Sequence, residues 1–459
     1  MTSTTRRPES SATAPTTSES SRRGPLVRVV LGSILAGLFA AALMILVVVP
    51  GAQEHLVTGS VLLSFAAGWG LLAVLSTRLT SSPQRWAALP AVVMAMTGLA
   101  LIAFAPGNAK LDDAGWVWPP LLLALAVWIA VQVRKCLPGR TRWLLYPVVA
   151  TLAVASLGGM TQTLVAQRDA HEFTRPGSLF DVGGHRLHLN CTGSGSPTVL
   201  LENGLGGSSA QWGRVVAAIS GTTRVCAYDR AGQGWSDDAP GPQDSLSVAR
   251  DLHALLDVAG ERGPFVLAGH SAGGAYVMTF AAQHPNEVAG LVLIDSVSPR
   301  GFTVLPDFAG QYAMLRRLYG VAPMLARMGV GQLTNQVVGS EVPGVAGQEV
   351  DMFAASPRAW RTMRDEHSVY RAAFRQAQAL TTFGSKPLEV VTASDSINNT
   401  PGWDRAQTEL TQLSTNARRR DVTSTHPGLL ENASASVSTA AAITDVVQAV
   451  RSGAPLSAP

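Results

Sequence analysis

Apolar side chains dominate the first third of the chain in five runs, roughly 28–49, 56–76, 86–105, 117–133 and 143–165. Each approaches the ~20 residues that a helix needs to cross the hydrocarbon layer of a bilayer. Gly32, Gly37, Gly68, Pro90 and Gly98 lie inside them; spanning helices tolerate such residues, and small ones favour close helix packing. Five near-uncharged runs in succession are hard to house in a soluble core, so the pattern predicts five transmembrane helices over 26–166. From about residue 178 the texture changes. RLHLNCTG, PTVLLENG and RVCAYDRAG read as strands, FVLAGHSAGG as a strand entering a turn, AYVMTFAAQH as a helix, and VAGLVLIDS and PLEVVTAS as further strands. Short runs of Val, Leu and Ile separated by helical segments predict α/β architecture, a mostly parallel sheet covered on both faces.

Residues 1–25 are rich in Ser, Thr, Pro and Arg with few apolar side chains. Such a stretch cannot bury enough surface to offset its ordering entropy, and a disordered tail is expected there. It does not resemble a cleavable signal, because several apolar segments follow it. The whole chain, at 459 residues, has room for two or three domains, and its charged fraction of 14% against 47% hydrophobic suits a membrane protein. A net charge of +4 gives no case for nucleic-acid binding.

The basic residues are placed unevenly. Arg6, Arg7, Arg22, Arg23 and Arg28 precede or open the first run, Arg78 and Arg85 flank the second connection, and Arg134, Lys135, Arg140 and Arg142 the fourth. The first connection has none, and the third sets Lys110 beside Asp112 and Asp113. Alternation of this kind places the N-terminus in the cytoplasm. An odd number of spans then puts everything after residue 165 outside it, as a multi-pass protein of the cell membrane.

Gly269-His270-Ser271-Ala272-Gly273 has the form G-x-S-x-G, with an apolar strand leading in and a helix rich in small residues leading out. That context reads as a nucleophile elbow, a strained strand-to-helix turn that exposes the Ser271 hydroxyl. Flanking side chains would clash with the neighbouring strand and helix, hence the glycines.

At this motif the chain resembles the α/β-hydrolase superfamily, over about residues 178–452. Glu202-Asn203-Gly204-Leu205-Gly206-Gly207 follows a strand where the family has His-Gly and an apolar residue, and Tyr228-Asp229-Arg230-Ala231-Gly232-Gln233-Gly234-Trp235-Ser236 looks like the family's Y-D-x-R-G-x-G-x-S loop. The resemblance implies an oxyanion hole made by the backbone N–H groups of Leu205 and Ala272. It implies structural roles for Asp229 and Arg230. It also places the base last in chain order. Of nine histidines only His284, His367 and His426 follow Ser271. His284 suits a helix cap and His367 falls in an insertion, which leaves His426, in a loop after the seventh strand, as the base. The acid is Asp295, ending the sixth strand, or Asp395, after the seventh. Asp295 is preferred because aligning VVTASDSI with the usual G-x-x-D ending puts Ser396 at the acid position. Residues 297–385 occupy the place of the family's helical cap, within a hydrolase domain of 178–459. The amphipathic stretch MLRRLYGVAPMLARMGV makes this insertion either a pocket cover or a surface that dips into lipid.

The three cysteines, Cys136, Cys191 and Cys226, are too few for a disulfide framework or a cysteine-based zinc site. In the resembled fold Cys191 and Cys226 lie on neighbouring strands, which allows either a disulfide or two buried thiols; Cys136 should be free. The expected function is hydrolysis of an ester or related acyl bond of a small-molecule substrate, lipid-like substrates included, through a Ser-His-Asp triad, with no metal or organic cofactor. A serine argues against the dehalogenase branch, which needs Asp at the nucleophile. Peptidase, lactonase and cofactor-free haloperoxidase branches share the triad. A silent receptor or assembly module with the same fold is the non-enzymatic alternative. Transport by the five helices is disfavoured, since no charged residue stands between the ends of those runs. Neither substrate identity nor oligomeric state is encoded in these motifs.

Overall fold

The computed structural model describes residues 24–456 apart from Pro242. The expected disordered tail therefore lies outside the described residues, except for Gly24 and Pro25, which open the first helix. The chain divides into two compact units: residues up to 44 with 58–105 and 121–154, and residues 45–57, 106–120 and 155–459.

Among the described residues five helices are long and apolar enough to cross a membrane. They are α1 (Gly24–Leu43), α2 (Glu54–Leu79), α3 (Ala88–Phe104), α4 (Trp118–Cys136) and α5 (Tyr146–Glu172). Large apolar side chains on them face outward, Phe39, Val92, Met96 and Leu121 among them. In water such exposure would be costly, and lipid removes the cost. Within the first unit α1 and α2 meet at glycines: a Cβ on Gly68 would stand 2.9 Å from the Ser33 carbonyl oxygen and 3.2 Å from the Gly37 Cα. Only residues without a side chain let the two backbones approach that closely.

In the second unit eight strands among the described residues form one sheet: β1 (Ser178–Asp181), β2 (Arg186–Thr192), β3 (Val199–Glu202), β4 (Val225–Asp229), β5 (Phe265–His270), β6 (Val288–Ile294), β7 (Leu388–Ala393) and β8 (Ala417–Val422). Their order is β1-β2-β4-β3-β5-β6-β7-β8. β1 pairs antiparallel with β2, and β2 with β4; every other pairing is parallel. The central strands β3 to β7 are buried nearly end to end, which is why they read as continuous apolar runs. One face packs on α6 (Gly213–Ile219), the other on α7 (Ser245–Ala259) and α8 (Gly273–Gln283).

Two strands were not legible in the apolar pattern. β1 is four residues long and half-buried at best. β8, with the sequence ARRRDV, has no apolar alternation. It is held instead by charge: Arg418 and Arg420 both pair with the fully buried Glu389 on β7 and with Asp445. Cys191 and Cys226 stand directly opposite each other on β2 and β4 and are joined in a disulfide, while Cys136 is free.

The segment between β6 and β7 contributes four longer helices, α9 (Phe308–Arg327), α10 (Val330–Val337), α11 (Gly344–Ala355) and α12 (Pro357–Ala377). α12 starts sharply because the Ser356 side chain caps it, accepting from the Ala359 N–H, with Pro357 at the first helical position. On α9, Met314 and Leu318 remain exposed, as do Leu333 and Val337 on α10. α13 (Ala435–Ser452) packs beside α6 on the same face of the sheet.

Candidate active site

The elbow is set by local backbone geometry. β5 ends at His270, Ser271 takes a left-handed φ of +57°, and α8 begins at Gly273. A non-glycine residue in that region is strained and persists only where its surroundings hold it. Here the Ser271 N–H donates to the Ile294 carbonyl at 2.9 Å, and its own carbonyl accepts from Gly274 and Val297 at 3.2 and 3.1 Å. A Cβ on Gly269 would lie 2.7 Å from the Gly273 carbonyl oxygen, and one on Gly273 would lie 2.6 Å from that of Asn203. Both positions therefore require glycine. The loop after β3 packs against the elbow: a Cβ on Gly204 would come within 3.1 Å of the Ser271 Cβ. Leu205 follows directly in that loop, and Ala272 is buried at the start of α8.

A buried charged cluster pins this loop. Arg230 donates to the carbonyl oxygens of Asn203 (2.7 Å) and Gly204 (2.9 Å), pairs with Glu202, donates to Glu366 at 2.9 Å, and lies 4.5 Å over the Tyr276 ring. Glu366, carried in from α12, also accepts from the Gly206 N–H at 3.2 Å and from the Gln233 side chain at 2.8 Å. Asn203 donates to the Tyr228 carbonyl and accepts from Trp212. Burial opposes the charge on Arg230, and the carboxylates of Glu366 and Glu202 outweigh it. For those two carboxylates burial is the larger influence and raises both, with Arg230 pulling the other way. Arg230 thus has the structural setting its motif implied, but Glu202 and Glu366 went unread as its partners.

His426 and Asp295 are brought together. The His426 Nδ1 lies 2.6 Å from Asp295 Oδ2. Asp295 is fully buried, has a φ of +43°, and accepts from Trp403 Nε1 at 2.8 Å, from the Ala393 N–H at 3.3 Å and from the Ser396 hydroxyl. Burial disfavours its charge, yet the bonds from His426, Ser396 and Trp403 prevail and hold it below the ordinary carboxylate value. A carboxylate at Nδ1 fixes the proton there and leaves Nε2 as the basic nitrogen.

Asp395 is placed elsewhere, which corrects its candidacy as the partner of His426. It is exposed in the first turn of a short helix, and its carboxylate accepts from Asn399 at 2.6 Å. The neighbouring Ser396 is the residue that reaches the acid. His284 ends α8 and stacks on His253 at 4.1 Å. His367 is buried within α12, 3.0 Å from the Tyr312 carbonyl.

His270, the variable residue of the motif, packs its ring 4.6 Å from that of His426 and places Nε2 3.2 Å from the His426 carbonyl. Burial, with His426 adding to it, depresses His270 to about 3. A histidine depressed on folding binds its proton in the unfolded chain first, so stability falls as pH drops through the window from about 6.5 to about 3. One such group contributes ~1.4 kcal/mol per pH unit across that window. His270→Gln is expected to flatten the acid limb of a melting-temperature profile over that window; an unchanged slope would count against the burial argument.

The strand order, the elbow and the long insertion between β6 and β7 give the second unit the α/β-hydrolase fold. Residues 197–324 match the family model described as alpha/beta hydrolase fold. The chain is similar to probable transporter efuK of Hormonema carpetanum, 31% identical over 196 residues, 40% of this chain and 28% of that one. An uncharacterized protein of Schizosaccharomyces pombe is 30% identical over 275 residues, 52% of this chain and 50% of that one. The chain thus spans half or less of the length of these relatives. The enol-lactonase of Burkholderia xenovorans LB400, a solved structure, aligns at 21% identity with a TM-score of 0.45, over 59% of this chain and all of that one.

Proposed function

We propose that the protein is a membrane-anchored serine hydrolase that cleaves an ester or related acyl bond. The observation that carries this reading is the Asp295–His426 pair, 2.6 Å apart, whose imidazole packs on the residue preceding Ser271. In the reaction the Ser271 hydroxyl attacks the acyl carbonyl and passes its proton to His426 Nε2. The N–H groups of Leu205 and Ala272 hold the developing oxyanion. Collapse of the tetrahedral intermediate breaks the bond to the leaving alcohol, which takes the proton from His426. Water, deprotonated by the same nitrogen, then attacks the acyl-enzyme and releases the acid, returning the proton to Ser271. Asp295 holds the imidazole in the required tautomer and offsets its positive charge.

The test is labelling of the full-length protein in detergent or lipid by a fluorophosphonate probe. Labelling at Ser271, lost in Ser271→Ala, is expected; a folded protein that takes no label would leave the silent-module reading standing.

The hydrolase domain is assigned to the extracytoplasmic side. The basic connections of the apolar helices alternate as the sequence requires for this, and the disulfide between Cys191 and Cys226 suits an oxidising compartment. A C-terminal reporter that works only outside the cytoplasm is expected to be active, and activity of a cytoplasm-only reporter at the same position would reverse the assignment.

A further inference from the structure

Against the loop after β3, and within the second unit, lies a cavity of about 280 Å3. One wall is the last part of α5, with Gln162, Ala166 and Asp169 facing it; a second is the cap, with Met352 and Phe353; a third is the loop after β4, with Gln233. Gly206, in the loop that carries Leu205, lines it too.

Three features restrict what this cavity can hold. The first is its depth in the bilayer. α5 has 27 residues, about 40 Å of helix against a hydrocarbon layer of about 30 Å, so its C-terminal turns project into the headgroup zone. Gln162 to Asp169 thus sit where an amphiphile changes from chain to head. The second is the polar lining. Gln162 and Gln233 are 5% and 2% exposed, and the side-chain oxygen of each has no hydrogen-bond partner. Gln233 donates its amide N–H to Glu366, which fixes that oxygen as the group left over. Buried carbonyl oxygens without donors are rare and mark a ligand or solvent position. Asp169 is buried as well, and its cation, Arg168, points mostly into solvent. The wall's own cation, Arg358, is occupied by Asp238 and by the Gly234 and Ser236 carbonyls. The lining thus mixes acceptors with donors, among them the Trp235 indole N–H, which is also buried without a partner; that mixture suits hydroxyls, and the Asp169 carboxylate repels a phosphate or carboxylate head. The third is the apolar remainder, Ala166, Met352 and Phe353, which accepts a hydrocarbon segment.

The geometry points to a binding site for a neutral amphiphile with a hydroxylated head, a glycerol- or sugar-type lipid drawn from the bilayer. This rests on the hydrolase reading in one respect: there, the ligand is the substrate, an acyl ester of a polyol, and the cavity holds its alcohol part beside the oxyanion loop.

Binding of 1-O-decylglycerol, an ether that cannot be hydrolysed, to the full-length protein in lipid nanodiscs tests the site without requiring turnover. Saturable binding is expected. Ala166→Trp, which fills the cavity, should weaken it by at least about tenfold, and Gln162→Leu, which removes one acceptor, by about tenfold. Decyl methyl ether and decyl phosphate should each bind about tenfold more weakly or worse. Equal affinity in both variants, equal binding of decyl phosphate, or no saturable binding to a folded parent would overturn the site. Fluorophosphonate labelling of the same samples separates the two proposals. A parent that labels but does not bind removes the cavity assignment alone, and one that binds but does not label removes the hydrolase reading alone. Variants that label like the parent show that their fold is intact.

Discussion

Asp295→Asn is expected to lower kcat for a soluble ester by about 10⁴-fold, while Asp395→Asn stays within about twofold of the parent. The asymmetry comes from the hydrogen bonds. Asp295 accepts a hydrogen bond from His426 Nδ1 and, through its other oxygen, from Trp403 Nε1 and the Ala393 N–H. Asparagine keeps a carbonyl oxygen for Trp403 and Ala393, so the fold around the site should survive. Its NH2 then faces His426 Nδ1, which must accept, and the imidazole is pushed into the tautomer whose Nε2 already carries a proton and cannot act as base. It also loses the negative charge that offsets the imidazolium. Asp395, exposed and bonded to Asn399, makes none of these contacts. Circular dichroism and melting temperature check that the fold is kept, and kcat decides. Full rate in Asp295→Asn would remove the residue from the mechanism, and a large loss in Asp395→Asn would reinstate it.

The parts of the site that the sequence announced are those whose cause is local. An elbow needs a buried strand, two glycines and a helix within a dozen residues, and all are adjacent in the chain. The choice between Asp295 and Asp395 was not local: it depends on Trp403 and Ser396 folding back onto the end of β6. Glu366 was illegible for the same reason. It lies in the cap insertion, 136 residues beyond Arg230, in a helix whose outer face reads as ordinary charged surface. β8 was missed because its stability comes from Arg418 and Arg420 against Glu389 and Asp445, an arrangement that leaves no apolar period. The first and third connections between apolar helices read only as loops without a basic excess. In the folded chain Glu54 and Asp112 belong to the second unit and pair with Arg327 of the cap. Their acidity thus has a structural use beside the topological one.

Arg230→Met should be the most damaging substitution for stability, by about 3–5 kcal/mol, because it leaves Glu202 and Glu366 buried without their cation. The two carboxylates are already raised by burial while Arg230 holds them down. Without it they rise further, so in the folded variant they keep protons that the unfolded chain releases at the ordinary glutamate value of about 4.3. Wherever the native state binds more protons than the unfolded state, stability falls as pH rises. The deficit of Arg230→Met relative to the parent should therefore be larger at pH 8 than at pH 5.5, a direction that loss of packing alone would not produce. Because Arg230 also holds the Asn203 and Gly204 carbonyls that shape the loop before Leu205, fluorophosphonate labelling should slow even where the variant is folded. Melting temperatures of parent and variant at the two pH values measure both the deficit and its sign. A deficit below about 1 kcal/mol, or one that grows on acidification, would mean that the buried carboxylates do not depend on this guanidinium.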